Sequence, residues 1–380
     1  ILCPFSGEWV VTQGFDGRFT HQGEWRHALD FEVMDGSGRR YSGSPQRLDN
    51  FYTFNTPVLS PAMGTVFKTV DHIADRPPGS NNFANPWGNL VILRLDTGQY
   101  VKLCHLRNRS LCVKEGQRVK PGDAVGYCGN SGRSPVPHLH VQVQTTAQVG
   151  ATTVPFRLRH YVERSDGESV YHVAGIPAED ARVQAAIIDS RIAKYFDNIS
   201  RREYTYRLQY LDHESHETIS CRVDHFGSYV FESSAGNRLT ASVQDQVFHA
   251  FDHEGGPGVL YWLWLGLGRV PFIANPRTHW HDVVDLHPML RAWAKLLLDI
   301  NDPFFGYRSV EVTRSFEPPD HDGGEARPNI CLATTFRHET SSLFVAKNAI
   351  PRQIQTYVSE SNWVARIVVN LDRPLTIQQV

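Results

Sequence analysis

Hydrophobic and polar residues alternate along much of the first half of this chain, and the sharpest alternation runs from Pro137 to Gln144. His138, His140, Gln142 and Gln144 interleave with Leu139, Val141 and Val143, the period of a β-strand with one polar and one apolar face. Further short strands are predicted at Glu8–Gln13, Asn89–Leu95, Gln99–Leu103, Gln117–Val119 and Ala124–Tyr127. Gly- and Pro-containing turns join the later ones at Asp96-Thr97-Gly98, Lys114-Glu115-Gly116 and Lys120-Pro121-Gly122-Asp123. Two long polar stretches, Asp35–Asn55 and Asp71–Trp87, are too broken for core and read as loops. Many short strands with hairpin turns predict an antiparallel β-sheet or β-sandwich domain over residues 1–160.

Residues 161–380 read as a second, β-rich region with at least one helix and no internal repeat. Strands are expected at Thr205–Tyr210, Ser228–Glu232, Val310–Arg314, Ile330–Phe336, Ser341–Val345 and Trp363–Asn370. Leu286, Leu290, Trp293 and Leu297 recur at helical spacing and predict a helix over Val283–Asp299. A short helix is expected late in Tyr171–Asp197. The most apolar stretch, Gly258–Phe272, reads as a buried strand and turn, with Trp262 and Trp264 packed in the core. The fold class is therefore mainly β, in two regions.

Composition narrows the function only a little. The 380 residues are 41% hydrophobic and 21% charged, with a net charge of −2. Those are the proportions of a soluble globular protein, without the basic footprint that nucleic acid requires. No run reaches the ~18 apolar residues of a transmembrane helix. The six cysteines show no CxxC spacing and read mostly as buried thiols, with Cys104–Cys112 or Cys104–Cys128 as candidate bridges. The chain opens on Ile-Leu-Cys-Pro without Met, as a fragment of a longer protein would.

The chemistry lies in the polar face of the Pro137–Gln144 strand. Two imidazoles project from that face about 7 Å apart along the backbone, which serves a metal site better than an apolar core. Asp30, flanked by Leu29 and Phe31, is costly to bury unless it is paired or metal-bound. On an unbroken strand His27 points away from Asp30, whereas His21 precedes it on a loop that can fold back; this favours His21 as its companion. With His105 after its own strand, the candidates are His21, Asp30, His105, His138 and His140. A catalytic zinc takes about three protein ligands and leaves one position open. Two histidines and a carboxylate fit that pattern, with two histidines left to handle protons.

The order of these segments resembles the lysostaphin-type (LytM-like) zinc peptidases. The stretches that carry the likeness are Thr20-His21 with His27-Ala28-Leu29-Asp30-Phe31, Pro57–Val66, Trp87-Gly88-Asn89, Cys104-His105-Leu106, Val113–Val119, and Gly129-Asn130-Ser131-Gly132 with Pro137-His138-Leu139-His140. The chain departs from the family's common His-x-x-x-Asp motif, because Arg26 stands four residues before Asp30. It is similar instead to a branch whose histidine lies farther upstream. The resemblance implies Zn2+ held by His21, Asp30 and His140, His138 as general base, and His105 steadying the water and the oxyanion.

The implied activity is a zinc metalloendopeptidase cutting peptide bonds in peptidoglycan cross-links, located in the bacterial cell envelope, periplasmic or extracellular. The alternative is a peptide-binding or regulatory module that keeps the fold with little or no turnover. Gly7–Phe15, Trp25–Asp30 and Cys128–Ser134 more narrowly resemble peptidase domains that follow bacterial urea transporters. That likeness implies an upstream membrane transporter as partner and tether. Other polar clusters carry no such expectation: His279-Trp280-His281-Asp282 reads as a helix N-terminus, Asp320–Glu325 as a solvated loop, and Asp212–Glu217 as a hairpin end.

Overall fold

The computed structural model describes residues 1–197, 199–200, 202–275, 277–285, 309–317, 330–337, 351–359, 363–371 and 373–380. The chain divides into two compact units, Ile1–Ala186 and Ile187–Val380.

Unit 1 contains β1 (Glu8–Gln13), β2 (Ala28–Glu32), β3 (Pro57–Leu59), β4 (Gly64–Val70), β5 (Asn89–Leu95) and β6 (Tyr100–Leu106). It continues with β7 (Arg118–Val119), β8 (Ala124–Tyr127), β9 (Leu139–Gln144), β10 (Leu158–Ser165), β11 (Glu168–Gly175) and β12 (Arg182–Ala185). The main sheet is antiparallel throughout, in the order β11-β10-β12-β1-β2-β9-β6-β5-β4-β7. β3 and β8 pair separately. The unit runs on past His160, because β10–β12 extend the same sheet beyond β1.

Alternation along the central strands sorts the two faces of this sheet. Leu29 and Phe31 of β2, Val101 and Leu103 of β6, and Leu139, Val141 and Val143 of β9 lie in one hydrophobic core with Val11, Val91 and Leu93. The opposite face carries Asp30, Lys102, His140, Gln142 and Gln144, and these are buried too. Polar side chains shut away from water must find partners, so this face is organised by hydrogen bonds.

Unit 2 adds α1 (Ser190–Asp197), β13 (Glu203–Tyr210), β14 (His213–Val223), β15 (Tyr229–Ser233), β16 (Arg238–Gln244), β17 (Val247–Glu254), α2 (Val259–Leu267) and β18 (Arg269–Pro271). Then come β19 (His279–Asp285), β20 (Ser309–Glu317), β21 (Ile330–Phe336), β22 (Gln353–Ser359), β23 (Trp363–Asn370) and β24 (Leu375–Gln379). Neighbouring strands pair antiparallel in the order β18-β17-β16-β15-β14-β13-β24-β23-β22-β21-β20-β19. α2 is buried along its whole length and packs against β15–β17 and β21–β23.

Two expectations are corrected here. The stretch Gly258–Phe272 is a helix followed by a short strand. A run apolar on every side fits a buried helix as well as a buried strand, and the ends are settled by distant partners. Glu217 accepts a hydrogen bond from the Val259 N–H at one end, while buried Arg314 donates to the Leu265 and Gly266 carbonyls at the other. Both charges match the helix dipole. The second correction concerns Val283–Asp285 and the His279–Asp282 segment before it, which form β19 and no helix N-terminus. Trp280, Asp282 and Val284 are buried while His281 and Val283 face out, which is period two. The rest of the expected helix, with His287, lies outside the described residues, as do the Asp320–Glu325 loop and the Ser341–Val345 strand. Cys104, Cys112 and Cys128 are free thiols, so neither candidate bridge forms.

Candidate metal centre

Pairing of β2 with β9 sets Asp30 directly opposite His140. Opposed residues of an antiparallel pair share a face with their Cβ atoms about 5 Å apart, so the carboxylate meets the imidazole: Asp30 Oδ1 lies 2.8 Å from His140 Nδ1. His21 arrives from the loop after β1, with Nε2 3.2 Å from the same oxygen. Candidate ligand atoms of His21, Asp30 and His140 all fall within 4.8 Å of one another. His138, just before β9, brings Nε2 to 4.0 Å from Asp30 Oδ1.

His105 reaches this face through a backbone irregularity. Along β6 the core residues are Val101, Leu103 and Leu106, so strict alternation would send His105 into the core. The register against β5 slips at this point, with Asn89 opposite Leu106 and Leu90 opposite Cys104. His105 is the extra residue and takes a φ of 62°. Bulges re-aim side chains beside functional sites, and this one turns His105 to within 4.6 Å of the His138 ring, centroid to centroid. His27 goes elsewhere. Its ring packs edge-on against Phe15 and its backbone N–H donates to Thr153 Oγ1.

The hydrogen bonds on the far side of each ring set its tautomer. Nδ1–H of His21 donates to the Gly14 carbonyl (2.8 Å), that of His105 to the Ser131 carbonyl (2.9 Å) and that of His138 to the Val136 carbonyl (2.9 Å). Each therefore presents a bare Nε2. His140 is fixed the other way by a relay of amides. Gln144 Nε2 donates to the Thr146 and Gln148 carbonyls, which orients its Oε1 towards Gln142 Nε2 (2.9 Å). Gln142 then turns Oε1 to His140 Nε2 (2.9 Å), which must be the protonated nitrogen. His140 Nδ1 is left bare against Asp30.

Lone pairs of His21 Nε2 and His140 Nδ1 thus converge on one carboxylate oxygen, and His21 Nε2 has no hydrogen-bond partner. Two nitrogens and a carboxylate oxygen gathered this closely are a donor set that fits a divalent cation such as zinc. The charges agree. Burial opposes ionisation of Asp30, but the facing His138, His140 and His21 hold it well below the usual carboxylate range. Burial, then His138 and His140, push His105 well below the usual imidazole value. Burial also lowers His140, against the pull of Asp30.

Gln13 is a site residue that alternation on β1 did not single out. Its Nε2 donates to Asp30 Oδ2 (2.9 Å) and Thr20 Oγ1, while its Oε1 accepts from the backbone N–H groups of Phe19 and Thr20. One side chain therefore holds the carboxylate and anchors the loop that carries His21.

Residues 46–151 match the model of peptidase family M23. Over that stretch this chain is similar to M23 peptidases. The matched stretch holds His105, His138 and His140, and His21 and Asp30 lie ahead of it. Among curated relatives, the chain is 27% identical over 141 residues to the peptidoglycan DD-endopeptidase ShyA of Vibrio cholerae, covering 37% of this chain and 26% of that protein. It is 42% identical over 55 residues to the peptidoglycan DD-endopeptidase ShyC of the same organism, covering 14% of this chain and 12% of that protein. The matches thus span a minor part of each relative's own length. Among solved structures, the catalytic domain of lysostaphin from Staphylococcus simulans aligns at 19% identity over 40% of this chain and 88% of that one, with a TM-score of 0.25. Among the described residues no helix is long and apolar enough to cross a membrane.

Proposed function

We propose that unit 1 is a zinc endopeptidase that hydrolyses peptide bonds in peptidoglycan cross-links. The observation that carries this reading is the convergence of His21, Asp30 and His140 on one point, with the bare Nε2 atoms of His105 and His138 beside it. His21 Nε2, Asp30 Oδ1 and His140 Nδ1 would hold the metal. A zinc ion so held would polarise the scissile carbonyl and acidify water. His138, oriented by the Val136 carbonyl, takes the proton of the attacking water at Nε2 and returns it to the leaving amine. His105, kept neutral by burial and its neighbours, accepts a hydrogen bond from that water and aims it. Support for the substrate class comes from the two relatives described as peptidoglycan DD-endopeptidases, and a place in the cell envelope goes with it.

Incubation of the full chain with purified peptidoglycan and separation of the released muropeptides tests the reading. Release by the native chain, abolished in His138→Ala with metal content kept, is the expected result. Bound metal with no cleavage of any wall preparation would instead favour a peptide-binding module.

A further inference from the structure

Lys102 is the anomaly of the polar face. It sits on β6 opposite Gln142 of β9 and Ile92 of β5, is fully buried, and its Nζ has no hydrogen-bond partner. No carboxylate among the described residues pairs with it. Its ammonium lies over the Trp87 ring, with Nζ 3.0 Å from the ring centroid. That ring lies 5.6 Å from the His140 ring and meets Trp25 edge-on at 5.4 Å. The amine is therefore stored at the edge of the candidate metal centre beneath one side chain. Burial pushes it down to about 8, a measure of how poorly the charge is compensated.

A core that needed only to support Trp87 would place a methionine or leucine there at no desolvation cost. A lysine in this position suits a ligand that brings the missing charge. Lysine acts as a compact point charge, and in its buried position its attraction to an anion is far stronger than in solution. Trp87 is half-buried, closes the loop after Asp71 and is followed by Gly88 at φ 60°, so its ring is the natural element to yield.

We propose that Lys102 is the carboxylate-binding residue beside the candidate metal centre. Its ammonium, covered by Trp87 in the free chain, pairs with a free α-carboxylate of the bound peptide next to the amide that is cut. The favoured substrates are then cross-linked peptides with that carboxylate free, and amidated ones are poor. This rests on the peptidase reading of the same site.

Two synthetic muropeptide dimers, identical except that the carboxylate beside the cross-link is free or amidated, provide the test. Binding to the full native chain and to Lys102→Met is measured by calorimetry and tryptophan fluorescence, and hydrolysis is followed separately. The native chain should bind the free-acid dimer at least tenfold more tightly. Lys102→Met should bind both dimers equally, with KM for the free acid raised at least tenfold, kcat within about twofold, and a melting temperature equal or higher. Equal binding of the two dimers by the native chain, no binding of either, or discrimination that survives in Lys102→Met would overturn the proposal. Discriminating binding without any cleavage would remove the peptidase reading and leave the carboxylate site standing. Equal cleavage of both dimers would do the reverse.

Discussion

Replacing Gln142 by methionine should weaken metal binding without touching a ligand. The side chain is fully buried, and the substitution keeps its volume. It removes the acceptor that fixes the proton of His140 on Nε2. His140 Nε2–H would then be a buried donor without a partner, at a cost of ~1–3 kcal/mol. The ring would also be free to move the proton to Nδ1, the nitrogen that faces Asp30. At about 1.4 kcal/mol per decade, affinity should fall about 5- to 100-fold, within the range found when outer partners of metal-binding histidines are removed. Gln144→Met, which frees Gln142 to flip, should give a smaller loss. The double variant should match Gln142→Met alone, because both act through one relay. Competition with a chromophoric chelator measures the affinities, and far-UV circular dichroism checks the fold. Native affinity in Gln142→Met, or losses that add in the double variant, would refute the relay.

Three further outcomes follow from the same geometry. Metal at about 100 times its dissociation constant should stabilise the fold by ~2.7 kcal/mol, a rise of about 5–10 °C for a unit of this size. Calorimetry should show that rise lost in His21→Ala and kept in His27→Ala, and a loss in both would contradict the placement of His27. Gly132→Ala should destabilise by ~2 kcal/mol or more, because Gly132 has φ 86° and an added Cβ would lie 2.5 Å from the Gly88 nitrogen. The same change should disturb the neighbouring Ser131 carbonyl that holds His105, so turnover should fall more than metal binding does. Trp262→Ala, which empties a buried position of α2, should cost ~3–5 kcal/mol in thermal unfolding of the full chain, and a change under 1 kcal/mol would count against a packed interior.

Much of the candidate site could be read along the chain because its strands keep period two. His138, His140, Gln142 and Gln144 announce a polar face by spacing alone, and Asp30 stands out between Leu29 and Phe31. The aim of His105 was not legible in the same way. It depends on a bulge whose local trace is the three-residue step from Leu103 to Leu106, and its partners, Asn89 and Leu90, lie on another strand. Gln13 escaped notice because its role is to join a carboxylate and a loop that meet only in three dimensions. Lys102 has the sequence pattern of the polar half of an ordinary alternating strand, and the Trp87 ring above it comes from another segment. In unit 2 the failures have one cause. The apolar stretch of α2 has no period that separates helix from strand, and the charges that cap it, Glu217 and Arg314, are far away in sequence. At β19 leucines beyond Asp285 suggested a helical stripe, while pairing with β20 holds His279–Asp285 extended.

The central claim is that His21, Asp30 and His140 form a metal centre that works with His138 on cell-wall peptides. Metal content and muropeptide release, measured together on the full native chain, His21→Ala, His27→Ala and His138→Ala, test it most directly. About one zinc per chain should be lost with His21 and kept without His27, and His138→Ala should keep zinc while releasing no muropeptides. A native chain that takes up no metal after metal-replete purification, or a His138→Ala variant that digests peptidoglycan at the native rate, would contradict the account.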